Sequence, residues 1–124
     1  MSVTHALVAI VPCSDLDTSE AFYNRLGFIR APGSPEDYRM LTNDRGDEIH
    51  LTQAPEGWLV PGCNPFGLYL RTADVDALAA RFDGQTVGGR RPESKPWGMY
   101  EFALSDPDGT LVRIGRPTQS QSKE

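Results

Sequence analysis

The sequence is poor in the residues that bridge chains, bind metals or cross membranes. It carries two cysteines and two histidines in 124 residues. Cys13 and Cys63 are too few for a disulfide framework and neither lies in a CxxC pair, so ordinary reduced thiols are expected. No apolar run approaches the about 20 residues that a bilayer span requires. The N-terminal stretch has no basic segment ahead of its apolar residues, so no secretion signal is read and a cytoplasmic location is expected. A basic excess is also missing, with 12 Lys+Arg against 17 Asp+Glu and a formal charge of −5. Binding to a phosphate backbone needs a basic surface, so neither nucleic acid nor a membrane is an expected partner.

What is present suits one folded domain. Hydrophobic residues make up 39% of the chain and charged residues 23%, which argues against wholesale disorder. A chain of this length buries roughly two-thirds of its unfolded surface without a metal or disulfide staple.

The apolar run 6–11, bounded by Pro12, Ser14 and Asp15, reads as a buried strand. Asp17 to Glu20 offers helix-capping residues and Gly27 a stop, which predicts a helix over 18–26 with Phe22 and Leu26 facing inward. Strands are expected over 28–31, 38–42 and 48–53, the last two joined by a turn at Asn43–Gly46. Residues 54–65 hold three prolines and form a connector. A strand over 67–71 follows, then a helix from Asp74 through Phe82 with Val75, Leu78 and Phe82 on one face. The stretch 84–99 reads as a long loop with one short strand near Thr86 and Val87. Strands over 100–104 and 111–114 flank the turn Asp106–Gly109, and the tail from Pro117 is polar.

The order strand, helix, strand, hairpin occurs twice. Ala21, Phe22, Arg25 and Leu26 recur 56 positions later as Ala77, Leu78, Arg81 and Phe82. Leu41, Gly46 and His50 recur 63 positions later as Leu104, Gly109 and Arg113. The expected fold is α+β: two βαβββ modules, about 3–54 and 66–117, in one domain spanning 1–117 with a polar tail over 118–124. A curved mixed sheet with a central cleft is expected, and the cleft is the natural ligand site.

Three segments carry a family resemblance. The pattern Asp15-Leu16-Asp17-x-Ser19-x-x-Phe22-Tyr23-x-x-Leu26-Gly27-Phe28 resembles the first-module signature of the vicinal oxygen chelate superfamily, which includes glyoxalases, bleomycin-resistance proteins and extradiol dioxygenases. Asp106-Pro107-Asp108-Gly109-x-Leu111 resembles its closing hairpin. Lys95-Pro96-Trp97-Gly98-x-x-Glu101-Phe102-Ala103-Leu104-x-Asp106-Pro107 resembles a segment of the bleomycin-resistance branch, with one residue inserted at Met99-Tyr100 that a bulge or a longer loop tip would absorb. The resemblance implies a homodimer, often with exchanged N-terminal strands, that protects by sequestering an aromatic antibiotic without chemistry. The alternative within the superfamily is a glyoxalase- or dioxygenase-like enzyme acting on a small molecule, with His50 as a base or an unrecognised metal arrangement.

Enzymes of the superfamily hold a divalent metal through four side chains. The corresponding positions here are Val8, His50, Gly67 and Arg113. Valine and glycine offer no donor atom, arginine is a fixed cation, and one imidazole does not hold a metal against water. His5 lies on the opposite face by strand alternation, and Glu48 and Glu101 are read as having the wrong parity to improvise a site. No metal or other cofactor is expected and no catalytic residue is assigned.

The expected ligand-binding residues are Tyr38, Met40, His50, Thr52, Trp58, Tyr69, Trp97, Gly98 and Arg113. Trp97 offers a flat stacking face beside Gly98, or plugs the loop onto the core. His50 lines the cleft or is a satisfied core histidine. Arg113 requires a partner, either a carboxylate of the protein or a group on a ligand. Tyr38 and Tyr69 fall where the relatives carry stacking aromatics, and Trp58 packs at a dimer interface or walls the groove. Arg71 and Arg113 add positive charge inside, with Arg39 near the rim and Arg90, Arg91 and Lys95 on the loop. Bleomycin is a strongly cationic glycopeptide, and a neutral or acidic chromophore of enediyne, quinone or polyketide type meets the same stacking surface.

Overall fold

Proline and glycine divide the chain, and the same connectivity stands on either side of the division. The computed structural model describes residues 6–118, in two compact units that meet in sequence at Val60 and Pro61. The first holds β1 (Ala9–Cys13), α1 (Leu16–Asn24), β2 (Ile29–Arg30), β3 (Tyr38–Thr42) and β4 (Glu48–Gln53). The second holds β5 (Gly67–Arg71), α2 (Val75–Arg81), a single 3-10 turn (Val87–Gly89), β6 (Glu93–Ser94), β7 (Met99–Ser105) and β8 (Leu111–Pro117). The strand orders are β1-β4-β3-β2 and β5-β8-β7-β6. In each unit the first strand runs parallel to the last and the remaining pairs are antiparallel. The α+β reading with two βαβββ modules is therefore correct.

The hairpins show why the sequence repeat is a structural one. Asn43 Oδ1 accepts from the backbone N–H of Arg45 (3.0 Å) and Asp47 (2.9 Å). Asp106 Oδ1, 63 positions later, accepts from Asp108 (2.8 Å) and Thr110 (2.9 Å). Each loop then closes on a glycine at positive φ, Gly46 at 90° and Gly109 at 86°, which a residue with a Cβ reaches only under strain.

In the first unit the helix begins at Leu16, two residues before the expected start, because Asp15 is the cap. Its carboxylate accepts from the Thr18 N–H at 3.1 Å. The buried residues of this helix are Leu16, Ser19 and Tyr23. Phe22, expected inward, is half-buried and meets Tyr23 edge-on, with centroids 4.9 Å apart, while Leu26 is buried beyond the helix end. Val11, Leu41, Ile49 and Leu51 supply the sheet side of this core, each contributing about 1.5–3 kcal/mol by burial.

Arg39 lies on the helix side of β3 and not near a cleft rim. It is 5% exposed, and its guanidinium meets Asp17 (2.7 Å), Glu20 (3.0 Å) and Glu36 (2.8 Å). Glu20 also binds Arg30 at 2.5 Å, and this bond is the main reason its carboxyl titrates below the usual range.

In the second unit Val75, Leu78 and Phe82 are buried, as their spacing predicts, against Phe102, Leu104, Val112 and Ile114. The strand expected near Thr86 and Val87 is the 3-10 turn instead. Gly88 and Gly89 both take positive φ, which breaks an extended path, and the short strand forms at Glu93–Ser94. Residues 119–124 of the polar tail lie outside the described residues. No helix among the described residues is long and apolar enough to cross a membrane.

Candidate ligand-binding faces

Strand alternation sends Ile49 and Leu51 to the core of the first unit and leaves Glu48, His50 and Thr52 on the face turned away from it. On β3 the same alternation places Tyr38 and Met40 opposite Thr52 and His50. The structure thus brings together four expected site residues: Tyr38, Met40, His50 and Thr52. It also adds one that parity had excluded. Glu48 stands two residues from His50 on the same strand and therefore shares its face, where its carboxylate accepts from His50 Nε2 at 2.5 Å. The other ring nitrogen, Nδ1, meets the Tyr38 hydroxyl at 2.8 Å. A carboxylate only accepts, so the proton on Nε2 faces Glu48, and Nδ1 is left to meet the Tyr38 hydroxyl. Glu48, His50 and Tyr38 form one hydrogen-bonded row.

The second unit carries its own polar row. Register sets Tyr69 beside Arg113, and Gly115 between Arg71 and Glu101. Glu101 is 4% exposed and accepts from the Tyr69 hydroxyl at 2.7 Å and from Arg113 Nη1 at 3.5 Å. The partner of Arg113 is thus a protein carboxylate, and Glu101 has the parity of the site residues after all. Desolvation, and next the bond to Glu101, push the Tyr69 phenol up to about 12. Gly115 makes the bond possible. A Cβ there would collide with the Tyr69 hydroxyl and with the Glu101 Cβ, so the phenol passes over bare backbone. Gly115 lies one residue beyond the strand expected over 111–114, and only the longer β8 makes it an interior strand glycine.

Trp97 sits at the tip of the β6–β7 hairpin, 61% exposed. Lys95 N–H donates to Met99 O at 2.7 Å and Gly98 N–H to Lys95 O at 2.9 Å, closing a three-residue loop around the indole. The inserted residue opens no bulge towards β8, since that ladder runs unbroken from Met99–Pro117 to Ser105–Leu111. Beside the loop lies a cavity of about 250 Å³ that Trp97, Glu101 and Arg113 help to line. Trp58 stands in the loop after β4, 76% exposed, and makes no ring contact with the other candidates among the described residues.

The superfamily's metal does not fit the residues present. Of Val8, His50, Gly67 and Arg113, only His50 offers a donor, and both its ring nitrogens are engaged by Glu48 and Tyr38. Among the described residues no group of three His, Cys, Asp or Glu stands close enough to hold a metal ion.

Residues 3–114 match the model of one protein family, described as the Glyoxalase/Bleomycin resistance protein/Dioxygenase superfamily. The chain belongs to this superfamily. A bleomycin resistance protein from Klebsiella pneumoniae is 33% identical over 115 residues, covering 84% of this chain and 86% of that protein. The crystal structure of a bleomycin-binding protein complexed with bleomycin is similar with a TM-score of 0.75 and 28% identity, over 91% of this chain and 98% of that one. A bleomycin resistance determinant encoded on the transposon Tn5 gives a TM-score of 0.77 and 28% identity, over 94% of this chain and all of that one.

Proposed function

We propose that this chain is a non-enzymatic resistance protein that binds an aromatic antibiotic and lowers its free concentration, acting as a homodimer in the cytoplasm. The observation that carries the reading is the pairing of exposed Trp97, on a closed hairpin beside a cavity, with family metal positions that offer one already engaged donor. In the second unit Tyr69 and Arg113 supply further ring and polar contacts, and the first unit's sheet carries Tyr38, Met40, His50 and Thr52 on a face of its own. Trp58 adds a second exposed indole. Stacking against such rings is worth about 0.5–1.5 kcal/mol per pair beyond area burial. The similarity to a bleomycin-binding structure supports the same reading.

The test is a fluorescence titration of chelator-treated protein with bleomycin and a panel of neutral and acidic aromatic antibiotics. Saturable quenching near one ligand per chain is expected, weakened in Trp97→Ala, with the drug recovered unchanged. A flat response across the panel would sink the reading.

A second reading, an enzyme acting on a small molecule, has one observation in its favour: the row Glu48–His50–Tyr38 places a carboxylate behind an imidazole whose other nitrogen faces the Tyr38 hydroxyl, so a base at His50 would act through that phenol. It calls for turnover that survives chelator and disappears in His50→Ala.

A further inference from the structure

The cavity beside Trp97 reverses the sign of the chain. Its lining includes four cations, Arg90, Arg91, Lys95 and Arg113, against two carboxylates, Glu93 and Glu101. The chain as a whole carries −5. Both carboxylates are already committed. Glu93 meets Arg90 at 3.2 Å and Lys95 at 3.5 Å. Glu101 is taken by Tyr69 and, at 3.5 Å, by Arg113. Arg91 has neither a hydrogen bond nor an ion pair among the described residues. The Arg113 side chain remains 45% exposed with its one long contact. Positive charge is therefore left over where an indole and apolar groups also line the space.

We propose that this cavity selects aromatic ligands that carry an anionic group, a carboxylate, an acidic phenol or a sulfonate. This rests on the aromatic-binding reading above and names the charge class it takes. The ring system lies against Trp97, and the anion is held by Arg91 with its cationic neighbours. Guanidinium groups suit the task because they are always charged and meet a carboxylate through two parallel N–H bonds. A ligand cation entering the same space meets uncompensated charge of its own sign. At about 250 Å³ the cavity is smaller than the about 300–1,000 Å³ of drug-sized sites, so it takes a two-ring acid or one ring system of a larger molecule.

The test uses the full chain and three probes of one shape: 2-naphthoate, 2-naphthamide and 2-naphthylmethylamine, with affinities measured by calorimetry at low and moderate salt. The acid is expected to bind at least about ten-fold more tightly than the amide, with the amine weakest and the acid's advantage shrinking as salt rises. Arg91→Gln, at an exposed position, is expected to weaken the acid's binding more than the amide's and so shrink that advantage several-fold. Equal affinities, or an amine that binds best, overturn the proposal, as does an Arg91→Gln protein that keeps the preference in full. If an antibiotic from the neutral or cationic class binds while the acid does not, the charge assignment falls and the resistance reading stands. If nothing aromatic binds, both fall.

Discussion

Tyr69 reaches Glu101 across the backbone of Gly115, and no side chain at 115 permits the same path. Gly115→Ala is therefore expected to cost stability through overpacking, about 1–3 kcal/mol, read as a lower urea midpoint at unchanged slope. It also displaces the phenol from its acceptor, so an alkaline ultraviolet titration of the variant should show one late-titrating tyrosine fewer, with Tyr100 still raised by its bond to Asp76. A variant that keeps both its midpoint and that late step refutes the steric account.

The same phenol gives a pH dependence. Its folded value, about 12, lies above the ordinary 10.0. A group raised on folding contributes stability that is fully present below its unfolded value and is lost as pH rises through the folded one. The loss belongs between about pH 10 and 12. Tyr69→Phe should flatten stability against pH across that window, measured by denaturant midpoints at stepped pH. An unchanged alkaline slope would mean that the phenol is not the group responsible.

Acid should act through Glu20. Its carboxyl is held below the ordinary 4.5, first by the hydrogen bond from Arg30. Its contribution is complete above that ordinary value and is lost as pH falls through the depressed one. Glu20→Gln should therefore be less stable than the parent near neutrality and approach it as pH falls below 4.5. Parallel curves for the two proteins would count against this.

Arg39 tests the polar cluster behind β3. Replacing this buried guanidinium by methionine keeps length and apolar packing but removes its bonds to Asp17, Glu20 and Glu36. A loss of about 2–3 kcal/mol is expected, read as a lower thermal midpoint, because Asp17 and Glu36 are exposed and turn to water, leaving the one bond to the largely buried Glu20 to count at about 1.5–3 kcal/mol. A midpoint at or above the parent's would show that Arg39 packs rather than pairs.

Trp97→Ala should separate binding from folding. The indole is 61% exposed, so stability should change by no more than about 0.5 kcal/mol. Antibiotic affinity should fall by about three- to ten-fold, the worth of one stacked ring. A large drop in the unfolding midpoint instead would identify Trp97 as a plug on the core.

The architecture was legible because its parts repeat locally. The turn residues Asn43 and Asp106, the glycines that close their loops, and the apolar faces of the strands all follow from short-range rules. So did the face that groups Tyr38, Met40, His50 and Thr52, since period-two alternation settles it within two strands. What escaped was longer in range. Arg39 draws its partners Asp17 and Glu20 from a helix earlier in the chain, and nothing near it in sequence announces burial. Glu101 needed the register of β7 against β8 before it could be set beside Gly115 and below Tyr69. Glu48 was within reach of the same parity rule that placed His50, two residues away. The start of α1 turned on which of several acidic and hydroxyl residues caps it, a choice that Asp15 decides by one hydrogen bond.

The hairpin around Trp97 has a kinetic consequence. Its backbone is pinned at Lys95 and Gly98, and the N–H of Thr118 donates to Gly98 O at 2.9 Å. An arriving ring therefore finds its platform already built, with little beyond side-chain rotamers left to order. Ligands of one charge that dock there should arrive at similar rates, and selectivity among them should be written in how long each one stays.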